Sequence, residues 1–265
     1  MGRMDNKSVF ITGAGSGIGR ASALRCAAEG AAITVADIDG DLARATAGAV
    51  TTAGGRCLGL AVDVTEEAQL AEAMTAAVER WGSLTNLVNC AGGSIAADDS
   101  VTKVDMDVWD HTINLDLRGT FLACRTAIPH IAAAGGGSIV NFTSVVALQG
   151  NFKGHVYTAA KGGIISLTQA LAGRYWRDNI RANCIAPGVI LTERVRDRIG
   201  LAADVPAEDA VRTALEMNAR LVDQRHPFGV GVPEDIANVV LFLASDESRM
   251  VNGAVIPAEG GAAAY

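Results

Sequence analysis

The opening forty residues constrain the fold more than any other stretch. Ser8-Val9-Phe10-Ile11 is a short apolar run of strand composition, and Thr12-Gly13-Ala14-Gly15-Ser16-Gly17-Ile18-Gly19 follows at once. An alanine-rich helical stretch then runs to Gly30, and Ala32-Ile33-Thr34-Val35-Ala36 forms a second strand that ends at Asp37. Glycines in a strand-to-helix turn let the backbone approach a pyrophosphate, whose charge the N–H groups at the helix start receive. The spacing is Gly-x-x-x-Gly-x-Gly rather than Gly-x-Gly-x-x-Gly, so a plain tight turn competes until the second strand is considered. A carboxylate at the tip of that strand, about 20 residues past the glycines, is placed to bind an adenosine ribose. It would repel a 2′-phosphate. Arg20 and Arg44 are the nearest cations, and neither holds a phosphate-reading position.

The same alternation continues along the chain. Strand-like runs lie at 57–62, 86–88, 138–142, 181–185 and 253–257, with helical patterns between most of them. Leu70, Met74, Ala77, Val78 and Trp81 recur at helical spacing, and a long helical segment is expected over 106–133. This pattern predicts an α/β fold: a doubly wound sheet of about seven mostly parallel strands with helices on both faces. One domain over 1–265 accommodates it, since 265 residues with 49% hydrophobic content can build a single sizeable core. The region from about 192 to 226 breaks the alternation, being charged and loosely helical, and is a candidate substrate lid.

Ligands of open α/β sheets bind at the carboxyl ends of strands, which directs attention to Asn89, Ser144 and the Pro187-Gly188 turn. Just after Ser144 comes Tyr157-Thr158-Ala159-Ala160-Lys161, read as a helix start. Residues four apart share a helix face, so the Tyr157 phenol and the Lys161 ammonium become neighbours. An ammonium favours the phenolate form, giving a proton donor and acceptor usable near neutral pH. Taken alone, the pair could equally be an exposed Tyr and Lys on a surface helix. Asn114 lies within an apolar helical stretch, where a structural, hydrogen-bonded Asn is the default.

Other classes of function are disfavoured. A net charge of −7 argues against a general nucleic-acid or anionic-membrane surface. The five cysteines show no C-x-x-C and the four histidines no H-x-x-x-H, so no metal site is expected. Odd, scattered cysteines also suit a reducing cytoplasm. The polar start from Met1 to Lys7 shows no signal peptide, and no apolar run is long enough to span a bilayer.

With these motifs in order, and Tyr157 thirteen positions after Ser144, the sequence resembles the short-chain dehydrogenase/reductase family over about 7–261. The resemblance implies a Rossmann-type fold and NAD as cofactor. It makes Tyr157 the general acid/base, with Ser144 hydrogen-bonding the reacting oxygen. Lys161 would hold the nicotinamide ribose and favour the Tyr157 phenolate. Asn114 would hold a water linking Lys161 to bulk, completing a Tyr-Lys-Ser-Asn relay. Gly13, Ser16, Gly17, Ile18, Gly19 and Gly92 would surround the cofactor, with Asp37 on the adenosine ribose. Asp63 and Val64 would sit at the adenine and Asn89 near the ribose. Pro187, Ile190 and Thr192 would lie at the carboxamide end. Cys90 and Thr143 depart from the usual residues of their motifs, and Val230 stands where an Arg is often seen, which counts against an acyl-carrier-protein reductase role. The tail from 251 to 265 resembles members acting on cyclic or other secondary alcohols.

The leading expectation is an NAD-dependent enzyme interconverting a small, neutral secondary alcohol and its ketone. The alternatives are an NADPH-dependent 3-oxoacyl-thioester reductase, against which Asp37 counts, and a dinucleotide-sensing protein without turnover, which would be expected to lack Tyr157 or Lys161. Small residues over 114–131 and 157–176, together with the resemblance, suggest a homotetramer of dihedral symmetry.

Overall fold

Among the described residues, seven strands form one sheet: β1 (Ser8–Thr12), β2 (Ala32–Asp37), β3 (Arg56–Ala61), β4 (Asn86–Asn89), β5 (Gly137–Phe142), β6 (Ile180–Pro187) and β7 (Val255–Ala258). Their order is β3-β2-β1-β4-β5-β6-β7, and every neighbouring pair is parallel. The computed structural model describes residues 2–150, 152–198, 200, 201, 205, 209 and 229–263. Parallel neighbours need crossovers, which helices supply: α1 (Gly17–Ala28), α2 (Gly40–Thr52), α3 (Glu67–Trp81), α4 (Met106–Thr112), α5 (Gly119–Ala133) and α6 (His155–Tyr175). A short α7 (Glu193–Arg198) follows β6, and α8 (Pro233–Ala244) precedes β7.

The alternation of side chains along β1 shows how the sheet is covered. Val9 and Ile11 join Ala23 of α1 and Val240 of α8 in one buried cluster. Phe10, between them, joins Leu70 and Met74 of α3 and Leu122 of α5 on the opposite face. A strand buried on both faces is apolar along its centre, which is why Val9-Phe10-Ile11 reads as a continuous run between the buried Ser8 and Thr12. Each such side chain, once fully buried, contributes about 1.5–3 kcal/mol.

Chain order reverses between β1 and β4, so the crevice at their carboxyl ends is the switch point of the sheet. Among the described residues, no helix is long and apolar enough to cross a membrane.

The helical segment expected over 106–133 is present with those bounds, as α4 and α5 joined by a π-helical turn, Ile113–Arg118. There the Gly119 N–H donates to the Asn114 carbonyl, five residues back rather than four. Such turns often mark functional sites, because the extra residue rotates the side chains beyond it. α6 passes at Tyr175 into a 3-10 turn over Trp176–Asp178, closed by Asn179 at φ 57. Of the region expected to form a lid over 192–226, the start at α7 is described; the remainder lies almost wholly outside the described residues.

Candidate active site

The glycine loop forms one end of the crevice. Gly13 has φ +61, and a Cβ there would stand 2.7 Å from the Ala91 Cα, so only glycine lets this loop back onto the turn after β4. Ser16 precedes α1 without capping it through its side chain. The Gly17 N–H instead donates to Glu193 Oε2 at 3.0 Å. A carboxylate from α7 therefore occupies the electropositive start of α1, where an anion is favoured. Asp37 accepts from the Gly15 N–H at 2.8 Å and the Asp39 N–H at 3.1 Å, which fixes its carboxylate at the end of β2. Gly13, Ser16, Gly17, Ile18 and Gly19 face a cleft of about 510 Å³, with Asp37, Asp63, Val64, Gly92 and Thr192 on its other walls. Arg44 turns away to pair with Asp41 at 2.6 Å, and Arg20 faces a separate depression. A glycine cradle, a helix start holding a stand-in carboxylate and a fixed acid at the strand tip fit a dinucleotide.

Tyr157 and Lys161 form the other end. Gly154 precedes α6 and has no side chain to cap it. Buried Asp98 supplies the cap, accepting from the Tyr157 N–H at 2.8 Å and the Val156 N–H at 3.3 Å. Thr143 Oγ1 donates to the Lys161 carbonyl at 2.7 Å and ties α6 to the end of β5. One turn apart as the spacing requires, Lys161 Nζ lies 5.4 Å from the Tyr157 ring centroid. Ser144 caps the 3-10 turn Val145–Leu148, its Oγ accepting from the Val146 N–H at 3.4 Å. Ser144, Tyr157, Lys161, Pro187, Ile190 and Thr192 line a second cavity of about 590 Å³. Ile18, Gly92 and Thr192 line both spaces, so the two join where the motifs converge.

Asn114 lines the dinucleotide cleft, its Oδ1 accepting from Arg118 Nη1 at 2.9 Å, and no direct hydrogen bond joins it to Lys161. Lys161 Nζ is paired instead with Asp116 Oδ1 at 2.8 Å and donates to the Phe142 carbonyl at 3.2 Å. Asn89 is buried, donating to Asn141 Oδ1 at 2.8 Å and Cys124 Sγ at 3.4 Å, so its side chain ties strands together and reaches neither cleft. Asp116 and Asp98 went unforeseen. A lone acid between Leu115 and Leu117 demands a cationic partner, which was a usable signal for the first. The cap from Asp98 is a contact across 59 positions with no local signature.

Burial works against the charge of Lys161, but Asp116 first and Tyr157 second more than offset it, so its pKa is raised. Burial also raises the pKa of the Cys90 thiol beside the cavity, which keeps it protonated and unreactive.

The family model described as "Enoyl-(Acyl carrier protein) reductase" matches residues 13–263. The chain is 38% identical over 260 residues to 2-(S)-hydroxypropyl-CoM dehydrogenase 3 of Xanthobacter autotrophicus, covering 98% of this chain and 97% of that one. It is also 38% identical over 252 residues to cis-4-hydroxycyclohexanecarboxylate dehydrogenase of Sinomonas cyclohexanicum, covering 95% and 94%. A short-chain type dehydrogenase/reductase from Mycobacterium ulcerans superposes with a TM-score of 0.88 at 28% identity, covering 98% of this chain and 91% of that one. The chain belongs to the short-chain dehydrogenase/reductase family. It is accordingly an oxidoreductase of a kind that uses a nicotinamide cofactor.

Proposed function

We propose that the protein transfers hydride between NAD(H) and a secondary alcohol or its ketone. The observation that carries this reading is the Tyr157–Lys161 pair, which with Ser144 lines the cavity adjoining the dinucleotide cleft. The nicotinamide, when bound, supplies the hydride chemistry. Tyr157 takes the proton from the alcohol or returns it to the ketone oxygen. Ser144 donates a hydrogen bond to that oxygen as charge develops on it. Lys161 keeps a positive charge 5.4 Å from the Tyr157 ring centroid. Asp37 supports NAD over NADP, because Arg194, the one Arg or Lys among the described residues lining the cleft, donates to the Gly92 carbonyl at 3.2 Å rather than pairing with Asp37.

The wall around Ser144 and Tyr157 is mostly apolar, with Val145, Val146, Phe152 and Leu191 contributing, which supports a compact neutral substrate body. A second reading rests on Arg194 and Arg198 at the same cavity. Their guanidinium groups already donate to the Gly92 and Ser94 carbonyls at 3.2 Å each, yet a guanidinium has donors to spare and could receive a carboxylate. The experiment follows NADH absorbance with NAD or NADP and a panel of cyclic alcohols and size-matched hydroxy acids. Turnover of neutral alcohols with NAD is expected. Faster turnover of the acids, collapsing in Arg194→Ala, would favour the second reading. No turnover of any alcohol would reject the dehydrogenase, and turnover of thioesters with NADPH alone would restore the reductase alternative.

The assembly we propose is a dihedral homotetramer, with its interfaces on the helices around the site. Met106, Trp109 and Phe121 are exposed along α4 and α5, and a Cβ at Gly162 or Gly173 of α6 would meet nothing within 4 Å. Such faces support close helix packing between copies. Sedimentation as a monomer at micromolar concentration would refute it. The five unpaired cysteines support a cytoplasmic setting.

A further inference from the structure

Asp116 lies in the π turn between α4 and α5 and is fully buried. Its Oδ1 accepts from Lys161 Nζ at 2.8 Å and from the Gly93 N–H at 3.0 Å. Its Oδ2, also buried, has no hydrogen-bond partner among the described residues. Gly92 has φ +130, and a Cβ there would stand 2.4 Å from Asp116 Oδ1, so the loop after β4 closes over the carboxylate only with glycine at that place. A buried carboxylate left half unpartnered is costly, and nothing in the proposed proton step uses it directly.

We propose that Asp116 is a positioning residue that acts through Lys161, holding the ammonium beside Tyr157 and offsetting part of its charge, so that the enzyme works in a more alkaline window than Lys161 alone would set. The inference rests on the reading of Tyr157 as proton donor and acceptor. An ammonium whose field is partly cancelled stabilises a neighbouring phenolate less. The same carboxylate keeps Lys161 charged despite its burial. The other groups facing Lys161 do not duplicate this role. Arg194 of α7 opposes the charge of Lys161. Cys90 after β4 and Cys184 on β6 are thiols whose pKa values burial raises, the latter to about 11. From β5 comes the Phe142 carbonyl, which is uncharged. Asp98 and His155 stand at the first turn of α6, where Asp98 is engaged by backbone N–H groups and His155 accepts from the Val101 N–H.

Asp116→Asn keeps the shape and an acceptor for the Gly93 N–H but removes the charge. Two consequences then point the same way. The phenolate forms more readily beside an uncompensated ammonium, and Lys161 releases its proton at lower pH. Both limbs of the pH profile for kcat/KM in alcohol oxidation should therefore move acidward by about 1–2 pH units. A purely structural role would lower activity at all pH values without moving the profile. Superimposable wild-type and Asp116→Asn profiles would overturn the proposal. Asp116→Ser carries the same expectation should the Asn variant fail to fold. A second readout needs no turnover: the near-ultraviolet absorbance of tyrosinate, titrated with pH. The chain has three tyrosines, so the Tyr157 signal is isolated by subtracting the titration of Tyr157→Phe. Tyrosinate formation at lower pH in Asp116→Asn is expected, and an unchanged titration would overturn the proposal even if no alcohol substrate were found. Absence of turnover with an altered titration would instead count against the dehydrogenase reading alone.

Discussion

At the glycine-loop end of the crevice, the groups facing a ligand are backbone N–H donors and partly exposed carboxylates such as Asp37 and Glu193. At the Tyr157 end they are side chains fixed by buried contacts: Lys161 between Asp116 and the Phe142 carbonyl, and Tyr157 on a helix start held by Asp98. Water screens the first set, so a changed charge there should grade cofactor affinity and choice by modest amounts. The second set sits in a medium of low polarity, where two opposite charges depend on each other. Changes there should appear as large losses of rate or stability.

The largest effect tests the catalytic end most directly. Tyr157→Phe removes one oxygen and leaves the ring in its edge contact with Phe152. The expected loss in kcat is about 10²–10⁴, the usual worth of general acid/base help. NADH binding, followed by fluorescence titration, should stay close to wild type. Retention of more than a tenth of wild-type kcat would show that another group handles the proton.

Lys161→Ala tests whether burial makes the ion pair as interdependent as the contrast requires. Removing the ammonium strands Asp116 without its cation, at an expected cost of about 3–5 kcal/mol in chemical denaturation. Both rate and NADH binding should also fall. The sign with pH follows from the raised pKa: the contribution of Lys161 is complete below the unfolded value of 10.5 and is lost as pH rises through the higher folded value. A loss under about 1 kcal/mol would place the pair among screened surface bridges instead.

The same contrast separates what the sequence revealed from what it concealed. The strands and the glycine loop were legible because apolar runs and turn glycines are local signals. Tyr157 and Lys161 were legible because a spacing of four puts two residues on one face of any regular helix. The buried partner of Lys161 was not: Asp116 lies in a π turn, and regular helical spacing does not report which residue of such a turn meets α6. At Asn89, alternation along β4 sends the side chain inward to Asn141, while the residues after it reach the clefts. The Asp98 cap and the Glu193 contact at Gly17 span 59 and 176 positions, and no periodicity reports contacts of that range.

At the cofactor end the effects should be smaller. Asp37→Ser removes the fixed carboxylate at the tip of β2 while keeping a short polar side chain. The preference for NAD over NADP, measured as the ratio of kcat/KM values, should narrow by about 1–3 kcal/mol, the scale of a lost charged hydrogen bond plus relieved repulsion. Comparable kcat/KM for both cofactors in the wild type would show that Asp37 does not set the choice.

The smallest expected effect belongs to Glu193, and it sharpens the contrast because the residue is exposed. Its carboxylate takes the Gly17 N–H at 3.0 Å, the donor at the start of α1 that an anionic ligand would be expected to use. A ligand arriving there must displace it, and the displaced acid remains a nearby negative charge. Glu193→Ala removes both the competitor and the charge while leaving the backbone of α1 untouched. Charges at helix ends are worth about 0.3–1 kcal/mol when exposed, which corresponds to NADH binding tightened roughly two- to five-fold. The gain should shrink as salt is added, because the interaction is screened. Isothermal titration at low and high ionic strength reads both. Unchanged affinity at low salt would mean that Glu193 leaves Gly17 without cost, while a gain much above five-fold would mean that this end of the crevice is as poorly screened as the Lys161 end.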